Sequence, residues 1–158
     1  RILLVASLYD SFTLSEGGHL AELISGAFHN PGAMDLPELT RVSTRARALE
    51  ALGRQPFDLV ITFAHIDDVA ADAFGAAAKR LQADIAVFVL AFNMRQLQAL
   101  PGGPIAIPHV DGTFLWRGDV RLFLALIALA EDRRNAEHDA RVGGVRMLIL
   151  IEDGVAFY

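Results

Sequence analysis

Short apolar runs alternate along the chain with segments whose apolar residues recur at helical spacing. The clearest run is Leu59 to His65, in which five of the seven residues are apolar. Such a run is typical of a central parallel strand that is buried on both faces. Further strands are predicted at residues 1–7, 39–43, 85–92 and 113–117.

The segments between these runs predict helices. Apolar residues recur every three or four positions from Leu20 to Phe28, and Asn30-Pro31-Gly32 is expected to end that helix. Thr44 is expected to cap a second helix that ends at Gly53. The remaining helices are predicted from Val69 to Leu81, from Met94 to Leu100, and from Asp119 to about Ala140. The first of these is expected to bury the row Phe74, Ala77 and Leu81.

Five strands alternating with five helices predict an α/β fold with a doubly wound parallel sheet, because each parallel return needs a crossover.

Composition narrows the class of protein. A chain of 158 residues with 53% hydrophobic content can bury the core of one domain. Its net charge of −5 argues against nucleic acid as a partner. The absence of cysteine excludes disulfides and cysteine-based zinc sites, and it fits a cytoplasmic location. The longest wholly apolar run, Leu122 to Ala130, is too short to span a bilayer, so no membrane association is expected.

The run Phe57-Asp58-Leu59-Val60-Ile61 resembles the third strand of response-regulator receiver domains, which serve two-component systems and phosphorelays. The resemblance covers most of residues 1–138 in strand order and spacing. It implies a flavodoxin-like, three-layer α/β/α fold with the strand order 2-1-3-4-5. In sheets of this kind the chemistry lies beyond the carboxyl ends of the strands, so Phe63 to Asp68 marks the expected site.

A working receiver needs two acidic residues for Mg²⁺, an acceptor aspartate, a hydroxyl and a lysine, because metal and lysine neutralise the charge on the phosphoryl oxygens. The resemblance places the acidic pair at Ala6 and Ser7, the acceptor at Phe63, the hydroxyl at Ala91, the aromatic switch residue at Phe114 and the lysine at Arg117. The first loop also admits a slip that brings Asp10 toward the acidic pair. The resemblance therefore implies a degenerate receiver, or pseudo-receiver, with no catalytic residue, metal or cofactor.

The last predicted helix is apolar around most of its circumference. From Val120 to Ala130 only Arg121 is polar, whereas a helix packed on one face of a sheet needs only an apolar stripe. The surplus predicts an interface with a second copy of the chain or with another domain of the same protein. Its expected residues are Leu122, Phe123, Leu126 and Ile127. The alternative is a helix covered by the chain's own loop.

The end of the chain echoes its beginning. The segment Arg146-Met147-Leu148-Ile149-Leu150-Ile151 resembles residues 1–6 and follows Val142-Gly143-Gly144. We therefore predict a receiver-like domain at residues 1–140, then a linker and the first strand of a truncated second receiver-like repeat at residues 141–158. Such a strand invites pairing between chains, so a homodimer through the last helix and this strand is a further expectation. The alternative is a sixth strand of the same domain.

Two hypotheses about function remain. The first is a non-catalytic signalling module of a larger multidomain protein, which acts by protein docking. Residues 1–12 and 41–44 are also similar to the amino-terminal tandem receiver-like region of pyruvate phosphate dikinase and phosphoenolpyruvate synthase type proteins. The second is a flavodoxin-like domain that binds a small ligand, or acts as an enzyme, at the edge with Arg117 and His65. A divalent ion at Asp10, Asp67 and Asp68 is a weaker possibility, because such acids are more often loop residues and helix caps.

Overall fold

The computed structural model describes residues 1–7, 9–10, 37–64, 66, 70–100, 107–119 and 121–143. Five strands lie within these residues: β1 (Ile2–Val5), β2 (Leu39–Val42), β3 (Leu59–Phe63), β4 (Ala86–Ala91) and β5 (Gly112–Leu115). The helices are α1 (Arg45–Arg54), α2 (Ala71–Leu81), α3 (Met94–Ala99) and α4 (Arg121–Gly143). The helix expected from Leu20 to Phe28 and the strand expected after Gly144 lie outside the described residues.

The strands form one parallel sheet in the order β2-β1-β3-β4-β5. Ile2 at the start of β1 lies between Leu39 of β2 and Leu59 of β3. On the other side of β3, Phe63 pairs with Leu90 of β4, and Ala91 pairs with Leu115 of β5. The strand order and the doubly wound α/β class expected from the sequence are confirmed.

The core follows the apolar runs. Every residue of β1, β3 and β4 is buried, whereas the edge strands β2 and β5 are mostly half-buried. Phe74 of α2 and Phe123 of α4 pack into the same core cluster as these strands. The central strands are therefore buried along their whole length, as their unbroken apolar runs predict.

Several boundaries differ from the prediction. Thr44 caps α1 as expected, by accepting a hydrogen bond from Arg47 N at 3.2 Å, but the helix continues through Gly53 and ends at Arg54. The helix α4 runs to Gly143 and so includes part of the predicted linker. That division of the chain at residues 140 and 141 stays a prediction.

The buried row predicted for α2 is partly wrong. Phe74 is buried, but Ala77 is only half-buried and Leu81 is 50% exposed. The buried side of the helix instead consists of Ala71, Phe74, Gly75 and Ala78. Within the residues described above, no helix combines the length and the apolar character needed to cross a membrane.

Candidate functional site

Three of the predicted pocket positions meet at the carboxyl-terminal edge of the sheet. Ala6 directly follows β1, Phe63 is the last residue of β3, and Ala91 is the last residue of β4. The three residues lie at the ends of neighbouring strands, since β1 pairs with β3 and β3 pairs with β4. All three side chains are buried. The edge that carries chemistry in open α/β sheets is therefore apolar at these positions.

Phe63 is the residue that the resemblance to receivers places at the acceptor position. Its side chain is 0% exposed, and its ring stacks on Phe92 with the centroids 5.1 Å apart and the planes 10° from parallel. Burying a phenylalanine side chain stabilises the fold by about 1.5–3 kcal/mol. An ionised carboxylate in the same place needs a compensating cation or several hydrogen bonds, because its burial without them costs far more. The end of β3 therefore accommodates an aromatic ring more favourably than an unpaired carboxylate.

Arg45, the first residue of α1, is a buried cation that the sequence analysis did not identify. It is 1% exposed, and its guanidinium donates a hydrogen bond of 3.0 Å to the main-chain oxygen of Phe63. The guanidinium carbon also lies 5.8 Å from the ring centroid of Phe74. Arg45 therefore ties the start of α1 to the end of β3 and to α2. No sequence pattern marks it, because arginine beside a helix cap is ordinarily exposed.

Ser7 and Asp10 form a closed hydrogen-bonded turn after β1. The Ser7 hydroxyl donates to Asp10 Oδ2 at 2.6 Å, and the Ser7 amide donates to the same oxygen at 3.2 Å. In return the Asp10 amide donates to Ser7 Oγ at 3.1 Å. The buried carboxylate of Asp10 is therefore engaged in holding the turn.

The other acids of the possible ion site, Asp67 and Asp68, lie outside the described residues, as does His65. In the parts of the chain that the structure describes, no group of three or more His, Cys, Asp or Glu side chains is placed to hold a metal ion. The ion site has no support from these residues.

Arg117 follows β5, and its place in a pocket at this edge stays a prediction. Arg117 is exposed and lies two residues after the strand ends. The intervening Trp116 is buried, donates its amide to the Ala91 oxygen at 2.7 Å, and packs edge-to-face on Phe123. Phe114 is half-buried and packs edge-to-face on Phe88, with the centroids 5.4 Å apart. Trp116 is thus the buried side chain that follows β5.

Solved receiver domains share this architecture. The receiver domain of an HD domain-containing protein from Pseudomonas fluorescens Pf-5 superposes with a TM-score of 0.62 at 18% identity, covering 85% of this chain and 96% of that one. A CheY-like receiver domain protein from Methanospirillum hungatei JF-1 gives 0.58 at 15%, covering 86% and 97%. A response regulator from Thermotoga maritima, solved with Mg²⁺ and BeF, gives 0.56 at 13%, covering 82% and 97%. The chain has the receiver fold. No family model matches it, and no curated protein matches its sequence.

Most of the interface residues predicted on α4 belong to the core of this receiver fold. Phe123, Leu126 and Ile127 are buried within the single chain, and Leu122 is half-buried. The large apolar side chain that the same stretch exposes is Leu129, at 43%. The interface itself stays a prediction. Leu122, Leu124 and Leu129 are large apolar side chains of this stretch that retain exposed surface.

The start of α4 is fixed by a local ion pair. Asp119 Oδ1 accepts a hydrogen bond of 3.0 Å from the Arg121 amide and another of 3.0 Å from Arg121 Nε. The side-chain hydrogen bond from Arg121 holds the pKa of the Asp119 carboxyl below its ordinary value. Asp119 therefore remains an ionised acceptor at the amino terminus of α4, where the helix dipole also favours a negative charge.

Proposed function

We propose that this chain is a non-catalytic regulatory module, a pseudo-receiver that acts by docking to protein without aspartyl phosphorylation. The observation that carries the proposal is the fully buried ring of Phe63 at the end of β3, stacked on Phe92. An aspartyl phosphate requires a carboxylate at the acceptor position, and a phenylalanine offers no oxygen. The receiver fold supports a role in signalling of the two-component or phosphorelay kind.

The neighbouring positions support the same proposal. Ala6 and Ala91 have no side-chain oxygen for a hard cation or a phosphoryl group. The charge of Arg117 is exposed to solvent, and Trp116 is the buried side chain that follows β5. A phosphoryl group at this edge would therefore lack the metal-binding acids and the hydroxyl of a working receiver, and the buried cation there, Arg45, already donates to the main-chain oxygen of Phe63.

Docking is proposed to involve α4. The partner is a second copy of the chain or another domain of the same protein, which meets Leu122 and Leu129. We further propose that residues 141–158 begin a second receiver-like repeat, in a larger protein of the pyruvate phosphate dikinase or phosphoenolpyruvate synthase type. The lack of cysteine supports a cytoplasmic location for such a protein.

The acceptor position can be tested directly with Phe63→Asp. The variant and the wild type are each incubated with acetyl phosphate and Mg²⁺, and their intact masses are compared. We expect neither to gain a phosphoryl group. We also expect Phe63→Asp to unfold at lower denaturant concentration, because a buried carboxylate replaces a buried ring at a cost of several kcal/mol.

Phe63→Leu is the matched control, because it keeps the site apolar and loses only part of the ring. Its loss of stability should be clearly smaller than that of Phe63→Asp. Uptake of a phosphoryl group by Phe63→Asp would show that a metal site and a lysine equivalent are present, and the proposal would then be wrong.

A further inference from the structure

A cavity of about 900 Å³ opens at the amino-terminal edge of the sheet, the edge opposite Phe63. The segments that precede β3, β4 and β5 form its walls, and α4 closes one side with Ala130, Arg133 and Arg134. Known small-molecule sites have volumes of about 300–1,000 Å³, so the space is large enough for a metabolite-sized ligand. Its location differs from the edge at which the sequence predicts chemistry.

The lining of this cavity is positively charged in an acidic protein. Four basic side chains line it, against three acidic ones, whereas the whole chain has a net charge of −5. The basic residues are Arg54, Lys79, Arg133 and Arg134, and the acidic ones are Asp58, Asp84 and Asp111. Concave surfaces with one excess sign of charge concentrate ligands of the opposite sign.

The positive charges of Lys79 and Arg133 lie around the carboxylate of Asp111. Its side chain is only 4% exposed, and its Oδ1 lies 2.7 Å from Lys79 Nζ and 2.8 Å from a terminal nitrogen of Arg133. Its Oδ2 accepts a hydrogen bond of 2.8 Å from the Val87 amide. One carboxylate therefore serves two cations and an amide, so two positive charges share one negative charge at this point.

Arg134 is paired separately, with Asp58. Burial alone would raise the pKa of the Asp58 carboxyl, but the charge and the hydrogen bond of Arg134 are among the contacts that hold that pKa below its ordinary value. Asp58 thus pairs with Arg134, and Glu50 lies 3.9 Å from Arg54. The two cations of the cavity that share a single carboxylate are therefore Lys79 and Arg133.

Lys79 and Arg133 have more N–H donors than their contacts with the described residues use. A guanidinium has five N–H groups and an ammonium has three, and Arg133 and Lys79 each contact a single oxygen of Asp111. The Arg133 side chain is 58% exposed, so its remaining N–H groups are accessible to a ligand.

We propose that this cavity binds a small anion that carries two or more phosphate or carboxylate groups, held by Lys79 and Arg133 with Arg134 beside them. An anionic group accepts charge-assisted hydrogen bonds from both cations and supplies the missing negative charge. A neutral apolar ligand fits less well, since sites for such ligands are lined mainly by hydrophobic side chains. The proposal does not depend on whether Phe63 prevents phosphorylation.

The test is a calorimetric titration of the full chain with inorganic pyrophosphate and, separately, with citrate, at low ionic strength. We expect saturable binding of at least one anion. Arg133→Gln should weaken it by about tenfold or more, because a charge-assisted hydrogen bond is lost. Asp111 keeps Lys79 and the Val87 amide in this variant, so the fold is expected to persist, as a thermal melt would show.

Arg80→Gln is the matched control, because Arg80 is exposed on α2 next to Lys79 and does not line the cavity. It should change the affinity by less than about twofold, since salt screens an exposed charge outside the site. Binding of pyrophosphate alone would identify a phosphate-bearing ligand, and binding of citrate alone a carboxylate-bearing one. Absence of saturable binding of either anion, or an equal loss in Arg80→Gln and Arg133→Gln, would overturn the proposal.

Discussion

Phe63 and Arg45 meet at the end of β3, where a buried ring lies beside a buried guanidinium. The guanidinium donates a hydrogen bond of 3.0 Å to the main-chain oxygen of Phe63. The burial of Phe63 could be predicted from its apolar run. That of Arg45 could not, because it depends on a carbonyl 18 residues further along the chain.

Arg45→Met tests the contribution of this buried cation. The variant keeps a long apolar side chain but removes the donor to the Phe63 oxygen. We expect the free energy of unfolding to fall by about 1.5–3 kcal/mol, the usual contribution of a hydrogen bond that involves a charged group. The Phe63 oxygen keeps the hydrogen bond of 3.3 Å from the Ile66 amide, so the loss reports on the Arg45 contact itself. Chemical denaturation monitored by circular dichroism measures the change.

Arg47→Met is the control for Arg45→Met, because Arg47 is exposed on the same helix. Its effect should stay within about 0.5 kcal/mol, as for ordinary surface substitutions. Equal stability of the two variants would show that the Arg45 contact contributes nothing measurable.

Among the elements, α2 departs most from the pattern in its sequence. Leu81 is exposed, and Gly75 takes part in the buried side of the helix. The cause is the loop before β5, which crosses α2 so closely that a Cβ on Gly75 would lie 2.4 Å from the main-chain oxygen of His109. His109 has a positive φ of 63° at this crossing. A glycine inside a helical pattern gives no indication of which distant loop it accommodates.

Gly75→Ala should therefore destabilise the fold, although alanine favours helices. The clash is with main chain, which cannot move aside as a flexible side chain does, so we expect a loss of about 1–3 kcal/mol. The matched control is Gly53→Ala on α1, where nothing lies within 4 Å of the added Cβ. That control should gain about 0.5–1 kcal/mol. Thermal melts of the two variants should shift in opposite directions, and a gain for both would contradict the described crossing.

The boundaries of the strands were predictable to within one or two residues, because continuous burial leaves an unbroken apolar signal. The start of β5 is an example: Thr113 was the expected first residue, and the strand begins at Gly112. The prediction that this strand extends to Arg117 is wrong, because β5 ends at Leu115. The sequence shows no difference between a buried tryptophan inside a strand and one just beyond it. Trp116 is of the second kind.

For the molecule as a whole, the strand order was predictable from the resemblance to receivers, and it is confirmed. The cavity at the amino-terminal edge was not, because Lys79, Asp111 and Arg133 are far apart in sequence. The surplus of apolar residues on α4 predicts an interface, yet several of these residues are buried in the core of the single chain. Burial within one chain and burial between chains leave the same apolar pattern.

If two copies dock through α4, Leu129→Glu should separate them. Sedimentation equilibrium should show self-association of the wild type and a shift toward the monomer in the variant, because a charge replaces an apolar contact. Leu81→Glu is the control, since Leu81 is equally large and 50% exposed, but on α2. A monomeric wild type, or equal dissociation by both variants, would rule out this mode of docking.

We propose that the wild-type edge near Phe63 does not bind a phosphoryl group. Beryllofluoride with Mg²⁺ mimics an aspartyl phosphate, and two-dimensional NMR of the labelled wild-type chain reports binding through the amide signals of Phe63, Ala64 and Ala91. We predict that these signals do not move as both reagents are added. Saturable shifts of the three amides would contradict the account.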